Sequence, residues 1–206
     1  MTEANQLKTE LFYQIETLGP ERSLLPFSEA SIDDNIRRLE NINPIPQPLR
    51  PSNSTALLGD WRLVYAANGT VVTRSMAEIA NVFGSAIAVQ IWQTLASQDR
   101  QITADNQALI ELPLLGDYRL SAKGIWQPEP DERTAQVSFN TFSLQPTKFL
   151  GLPSSRLPAL IIPILELFRN KALWITSYLD EDTRIGRGAT GNMFVFKKNG
   201  DTQIMR

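Results

Sequence analysis

The chain has 206 residues, 42% of them hydrophobic, and its 20 basic and 22 acidic side chains give a formal net charge of −2. These values suit a globular chain long enough to bury a sizeable core, and they provide no global positive field to attract nucleic acid. With no cysteine and no histidine, disulfides, thiolate nucleophiles, imidazole bases and zinc sites of the usual kind are excluded together.

Leu7, Leu11, Ile15 and Leu18 recur at helical spacing behind Thr2, a cap, and Glu3, an acid favourably placed in the first turn; Gly19-Pro20 stops this helix. A second helix is announced by Ser31 with Asp34 three residues on, and carries Ile32, Ile36 and Leu39 on one face. Residues 1–42 therefore form a helical hairpin. Alternate prolines from Asn43 to Pro48 cannot donate hydrogen bonds and hold the chain extended, so 43–55 is expected as a stiff connector.

From Gly59 the period changes to two. Trp61, Leu63 and Tyr65 alternate with Arg62 and Val64, and Tyr118 to Trp126 alternate likewise. Strands are expected near 59–66, 88–97, 101–112, 116–126, 133–145, 172–180, 183–187 and 191–198, with turn formers between most of them. The chain thus reads as mainly β, with an antiparallel barrel or strongly curved sheet of about eight strands in residues 56–200. Two connections are long. Residues 67–87 carry Met76, Ile79, Ala80, Phe83 and Ile87 at helical spacing; residues 146–171 form a loop of the length used for lids and binding segments.

Gly59-x-Trp61 at the start of the first strand looks like the lipocalin signature, in which the indole closes a barrel floor. Arg184 or Arg187 is positioned in sequence to supply a guanidinium over that ring, making Gly59, Trp61, Arg184 and Arg187 the structural set. Trp61, Leu63, Tyr65, Trp92, Tyr118, Trp126, Trp174 and Tyr178 are the candidate ligand wall; periodicity alone leaves open whether these side chains line a cavity or fill a core. The run Leu157–Phe168 is the most apolar part of the chain, and its 12 residues are too few to span a bilayer. Lys148, Arg156, Arg169 and Lys171 flank it. An apolar wedge with a basic rim is the composition of an interfacial contact, so Leu157, Leu160, Ile161, Ile162, Ile164, Leu165 and Phe168 are the candidate membrane residues; a segment covering the open end of the barrel is the alternative. The acids Asp180-Glu181-Asp182 and Glu129, Asp131, Glu132 fall at hairpin turns, where they form local hydrogen bonds. No catalytic residues, cofactor or metal ligands are assigned.

Several blocks in order resemble the plastid-lipid-associated protein or fibrillin family: Ser31 to Pro48, Leu57 to Tyr65, Ile91 to Leu95, and the closing segment Trp174 to Phe196 with Tyr178-Leu179-Asp180-Glu181-Asp182 and Arg187-Gly188. The resemblance implies a lipocalin-like barrel on thylakoid membranes or lipid globules, handling prenyl lipids and protecting the photosynthetic membrane. The chain opens directly on a structural helix where plastid members carry a transit peptide, which favours a cyanobacterial-type member or a processed form. Ala189 stands where the family has an acid.

The expectation is a non-catalytic lipid-binding protein that holds a quinone, carotenoid or acyl lipid. It would be peripheral on the cytoplasmic side of the thylakoid membrane, or cytoplasmic, with no nucleic-acid partner. The alternative is a scaffold that coats lipid assemblies or holds a prenyl-lipid enzyme, without an internal ligand.

Overall fold

The computed structural model describes residues 2–24, 29–70, 73, 88–99, 101–112, 116–149, 152–153, 159–162 and 172–199. Helix α1 (Glu3–Leu24) starts as the sequence predicts, with Thr2 Oγ1 accepting the Asn5 N–H at 3.3 Å. Gly19 (φ 76°, ψ 162°) breaks the helix without ending it: the chain resumes at Pro20, whose fixed φ suits a first helical position, and runs on to Leu24. Helix α2 (Ala30–Asn41) buries Ile32, Ile36 and Leu39, but its start differs from expectation. Glu29, not Ser31, occupies the cap position, and no side chain caps it. The barrel supplies the partner instead, because the Tyr65 hydroxyl accepts the Glu29 N–H at 3.4 Å and donates to Asp33 at 3.2 Å.

The connector is folded rather than extended. Turns at Gln47–Arg50 and Arg50–Asn53 lead into the short helix α3 (Ser54–Leu57), and Leu49 and Leu57 are buried. Eleven strands follow: β1 (Gly59–Ala66), β2 (Ala88–Gln98), β3 (Gln101–Leu112), β4 (Gly116–Pro128), β5 (Thr134–Pro146), β6 (Lys148–Phe149), β7 (Leu152–Pro153), β8 (Leu160–Ile162), β9 (Ala172–Leu179), β10 (Thr183–Gly188) and β11 (Met193–Lys198). Eight of them close a ring in the order β1-β2-β3-β4-β5-β9-β10-β11, with β11 returning to β1 through Trp61 to Ala66 and Phe194 to Lys198. Every pairing is antiparallel. Closure removes the free edges that a curved open sheet would leave.

The ring is lopsided. Strands β2 to β5 have 11 to 13 residues, whereas β1, β9, β10 and β11 have 6 to 8, so the long strands overhang one rim. Following strand direction, both long connections leave from and return to that same rim. The proposed helix within 67–87 lies outside the described residues.

Two apolar clusters organise the molecule. One fills the lower barrel, where Trp61, Leu63, Leu95, Ile102, Trp126, Val137, Leu179 and Phe196 meet Leu49 and Leu57. The other lies outside the barrel wall: Leu7, Leu11, Ile15, Ile32, Ile36 and Leu39 of the hairpin pack on Tyr65, Tyr178, Ile185, Met193 and Val195. The hairpin is therefore packed on the barrel, with Glu40 binding Arg187 and Lys8 binding Asp180 and Asp182 at its ends.

Candidate ligand site in the barrel interior

Register and alternation assign the inward side chains. Trp61 and Leu63 of β1 face in with Gln93 and Leu95 of β2, Ile102, Ala104 and Asn106 of β3, Trp126 of β4 and Arg184 of β10. The floor centres on Trp61, which is fully buried and donates its indole N–H to the Leu57 carbonyl at 2.9 Å. Arg184 is fully buried as well, its guanidinium carbon 5.0 Å from the Trp61 ring centre, 4.2 Å from Phe196 and 6.0 Å from Trp126. Lys198 Nζ lies 5.1 Å from the same Trp61 ring. An indole with two cations beside it is a strong use of the ring quadrupole.

A polar thread crosses the interior above this floor. Arg184 Nη2 donates to Gln93 Oε1 at 2.6 Å, Gln93 Nε2 to Asn106 Oδ1 at 2.5 Å, and Asn106 Nδ2 to the Ala122 carbonyl at 3.3 Å. No carboxylate among the described residues pairs with Arg184, and burial alone pushes its guanidinium down to about 9. It is still charged at neutral pH. Its Nε and Nη1, the indole nitrogens of Trp126 and Trp174, and Thr176 Oγ1 are buried without a hydrogen-bond partner. Trp174 reaches this cluster by lying on Gly186, where a Cβ would come within 2.1 Å of the indole, and its ring centre is 6.1 Å from that of Trp126.

The sequence-predicted wall separates into two groups. Trp61, Leu63, Trp126 and Trp174 stand in or against the interior cluster, and Tyr118 faces inward higher up, opposite Ile110 and Pro146. Tyr65 and Tyr178 do not: both lie on the outer face beneath the hairpin, with the Tyr178 hydroxyl donating to Asp180 at 2.7 Å. The cause is a pair of bulges. Register shifts between Leu63 and Tyr65, and again where β9 passes Ile185/Gly186, so each tyrosine falls on the opposite side from strict alternation. Trp92 takes the outer side because its neighbour Gln93 points in. Arg184 supplies the guanidinium over Trp61; Arg187 faces out and binds Glu40.

Gln93, Asn106 and Thr176 went unassigned from the sequence, although each is a polar residue at a position whose neighbours two residues away are apolar. In the sequence Asn43 stands out only as the start of a proline-rich block. Its amide in fact donates to the Ser177 carbonyl at 2.9 Å and accepts from Leu179 N–H at 3.1 Å, occupying the edge of β9 that β5 does not reach.

The segment expected at the membrane is described in part. Leu160 and Ile161 belong to β8, paired with Leu144 and Ser143, and are 65% and 73% exposed; Ile162 pairs with Phe142. Leu157, Ile164, Leu165 and Phe168 lie outside the described residues, as do Arg156, Arg169 and Lys171. Lys148 is paired with Asp117 at 2.9 Å. The acidic turns are used locally: Asp131 accepts from the backbone of Arg133 and Thr134, and Asp180 from that of Asp182 and Thr183.

The PAP_fibrillin family model matches residues 5–197, spanning both helices and the whole ring. The chain belongs to the PAP_fibrillin family. Membership supports a lipid-associated protein in general terms. No curated protein and no solved structure matches the chain at significance. For this PAP_fibrillin member, the particular chemistry of the interior rests on its own residues.

Proposed function

We propose that the protein is a non-catalytic lipid-binding module that holds one hydrophobic molecule, an isoprenoid or acyl lipid, inside the barrel while sitting peripherally on a photosynthetic membrane. The observation that carries this reading is the polarity of the ring. One end is shut by Trp61, Arg184, Leu49 and Leu57, while both long connections belong to the other rim, which makes that rim the side from which a ligand would enter. Small barrels of this size hold a single small ligand when side chains do not fill them. Family membership supports lipid association. The exposed Leu160 and Ile161 at the mouth support a membrane contact there, because an apolar edge at the opening lets a ligand pass without crossing water.

Native purification followed by lipid extraction and mass spectrometry tests the reading. A hydrophobic molecule recovered in stoichiometric amount is the expected result. Protein that is empty after gentle purification, and remains empty after incubation with thylakoid-type lipid vesicles, overturns it and leaves the scaffold role.

A further inference from the structure

The barrel floor holds a charge without a counter-charge among the described residues. Arg184 is fully buried, and of its hydrogen-bonding nitrogens only Nη2 has an acceptor, the neutral Gln93 amide. A buried cation of this kind is costly unless something neutralises it. Around it the unpartnered groups are nearly all donors: Nε and Nη1 of Arg184 and the indole N–H groups of Trp126 and Trp174, with the Thr176 hydroxyl able to act either way. They belong to one neighbourhood, since the Arg184 guanidinium carbon is 6.0 Å from the Trp126 ring, Trp126 is 6.1 Å from Trp174, and Thr176 is paired across the strands with Gly186, on which Trp174 lies.

A water molecule fits this set poorly, because it brings two hydrogens that need acceptors and carries no charge to offset the guanidinium. The set calls for a group that only accepts and is negative. One fully buried cation with neutral donors matches a monoanion, and the rings of Trp61, Trp126 and Phe196 give the guanidinium apolar surroundings, not the basic basin a phosphate needs. Above the floor, the inward positions of β3 and β4 include Ala104, Ala108, Ala122 and Gly124, small residues on the way to the opposite rim.

We propose that Arg184, with Trp126, Trp174 and Thr176, forms a head-group subsite for a carboxylate, so that the preferred ligand is a long-chain fatty acid or similar single-chain lipid acid held head down. This rests on the reading of the barrel as a ligand cup, and it specifies which end of which ligand class reaches the floor. Arg184 then joins a structural role, stacking on Trp61, to a recognition role.

The full-length protein, stripped of lipid on a hydrophobic resin, is titrated with cis-parinaric acid and separately with its methyl ester, following polyene fluorescence and tryptophan quenching. The acid is expected to bind about tenfold or more tightly than the ester, the size of effect a charge-assisted hydrogen bond gives. In Arg184→Gln the acid-to-ester affinity ratio should fall to about one. Equal binding of acid and ester by the unaltered protein overturns the subsite while leaving the lipid cup standing. So does an acid preference that survives in folded Arg184→Gln. Binding of neither probe removes the cup and the subsite together. The acid-to-ester ratio of the unaltered protein decides the matter even if the variant does not fold.

Discussion

The carboxylate of Glu40 on α2 accepts both the Nε and the Nη2 hydrogens of Arg187 on β10, at 2.7 and 2.6 Å. This side-on fork fixes the helical hairpin to the barrel wall at its C-terminal end, and the hydrogen bonds that Arg187 donates to Glu40 hold the guanidinium above its usual range. Arg187→Lys keeps the charge and loses the fork. We expect it to lower the stability measured by urea unfolding by about 1 to 2 kcal/mol, and Glu40→Gln by a similar amount. Unchanged midpoints in both variants would show that the hairpin is held by its apolar face alone.

The other end of the hairpin gives a pH dependence. Lys8 reaches Asp180 at 2.8 Å and Asp182 at 2.7 Å. Burial works against both charges, but hydrogen bonding and attraction across the group outweigh it, raising Lys8 and lowering Asp182. A lowered carboxyl contributes stability above its unfolded range that is lost as pH falls through its folded value. A raised ammonium contributes stability below its unfolded range that is lost as pH rises through its folded value. Stability should therefore decline on both sides of a neutral plateau, and Lys8→Met should flatten both limbs in denaturation curves taken across pH.

Gly186 makes room for Trp174. Any Cβ at that position would meet the indole at 2.1 Å, and neighbouring atoms of the ring at 2.5 Å and 3.0 Å. Gly186→Val should displace the ring, destabilise the protein by about 1 to 3 kcal/mol, and change its near-ultraviolet circular dichroism. An unaltered spectrum with unaltered stability would mean that Trp174 has another position open to it.

Asn43 completes a strand edge with a side chain. Removing its amide in Asn43→Ala leaves the Ser177 carbonyl and the Leu179 N–H without their partner, an expected loss of about 2 to 4 kcal/mol in thermal or urea unfolding. Asn43→Asp retains the acceptor and loses the donor, so it should fall between the two.

Membrane contact through the mouth predicts that replacing Ile161, Ile162 and Leu165 together by Asp abolishes flotation with anionic vesicles. Full flotation of that variant would clear this segment of the role.

Much of the barrel is legible in the sequence because its strands are bounded by turn formers and alternate cleanly: β1 is expected at 59–66 and is Gly59–Ala66, while β2 is expected at 88–97 and is Ala88–Gln98. The side on which a residue falls is less legible. Tyr65 and Trp61 share a parity in the sequence, but the bulge between Leu63 and Tyr65 places them on opposite faces, and bulges have no reliable mark in the chain. The same holds for Tyr178 against Trp174. Gln93 and Trp92 illustrate a different limit. Hydrophobicity alone would turn the tryptophan inward, whereas the buried charge on Arg184 draws the glutamine there. The role of Asn43 depends on β5 not reaching the lower half of β9, and joins residues 134 positions apart, a relationship that local pattern does not contain.

The seam between β1 and β11 joins the first barrel strand to the last, pairing Trp61 with Lys198. During synthesis, the ring pairings among β1 to β5, β9 and β10 can form before β11 is made, but this one and the β10–β11 pairing wait for that strand. The hairpin made first waits too, because Ile185 and Val195 in its docking surface are made near the end. Such long-range closure is slow to nucleate. Until it happens, the nascent chain exposes two unpaired strand edges and the apolar face of α1 and α2, so its dependence on chaperone protection should be greatest in the interval before β11 is made.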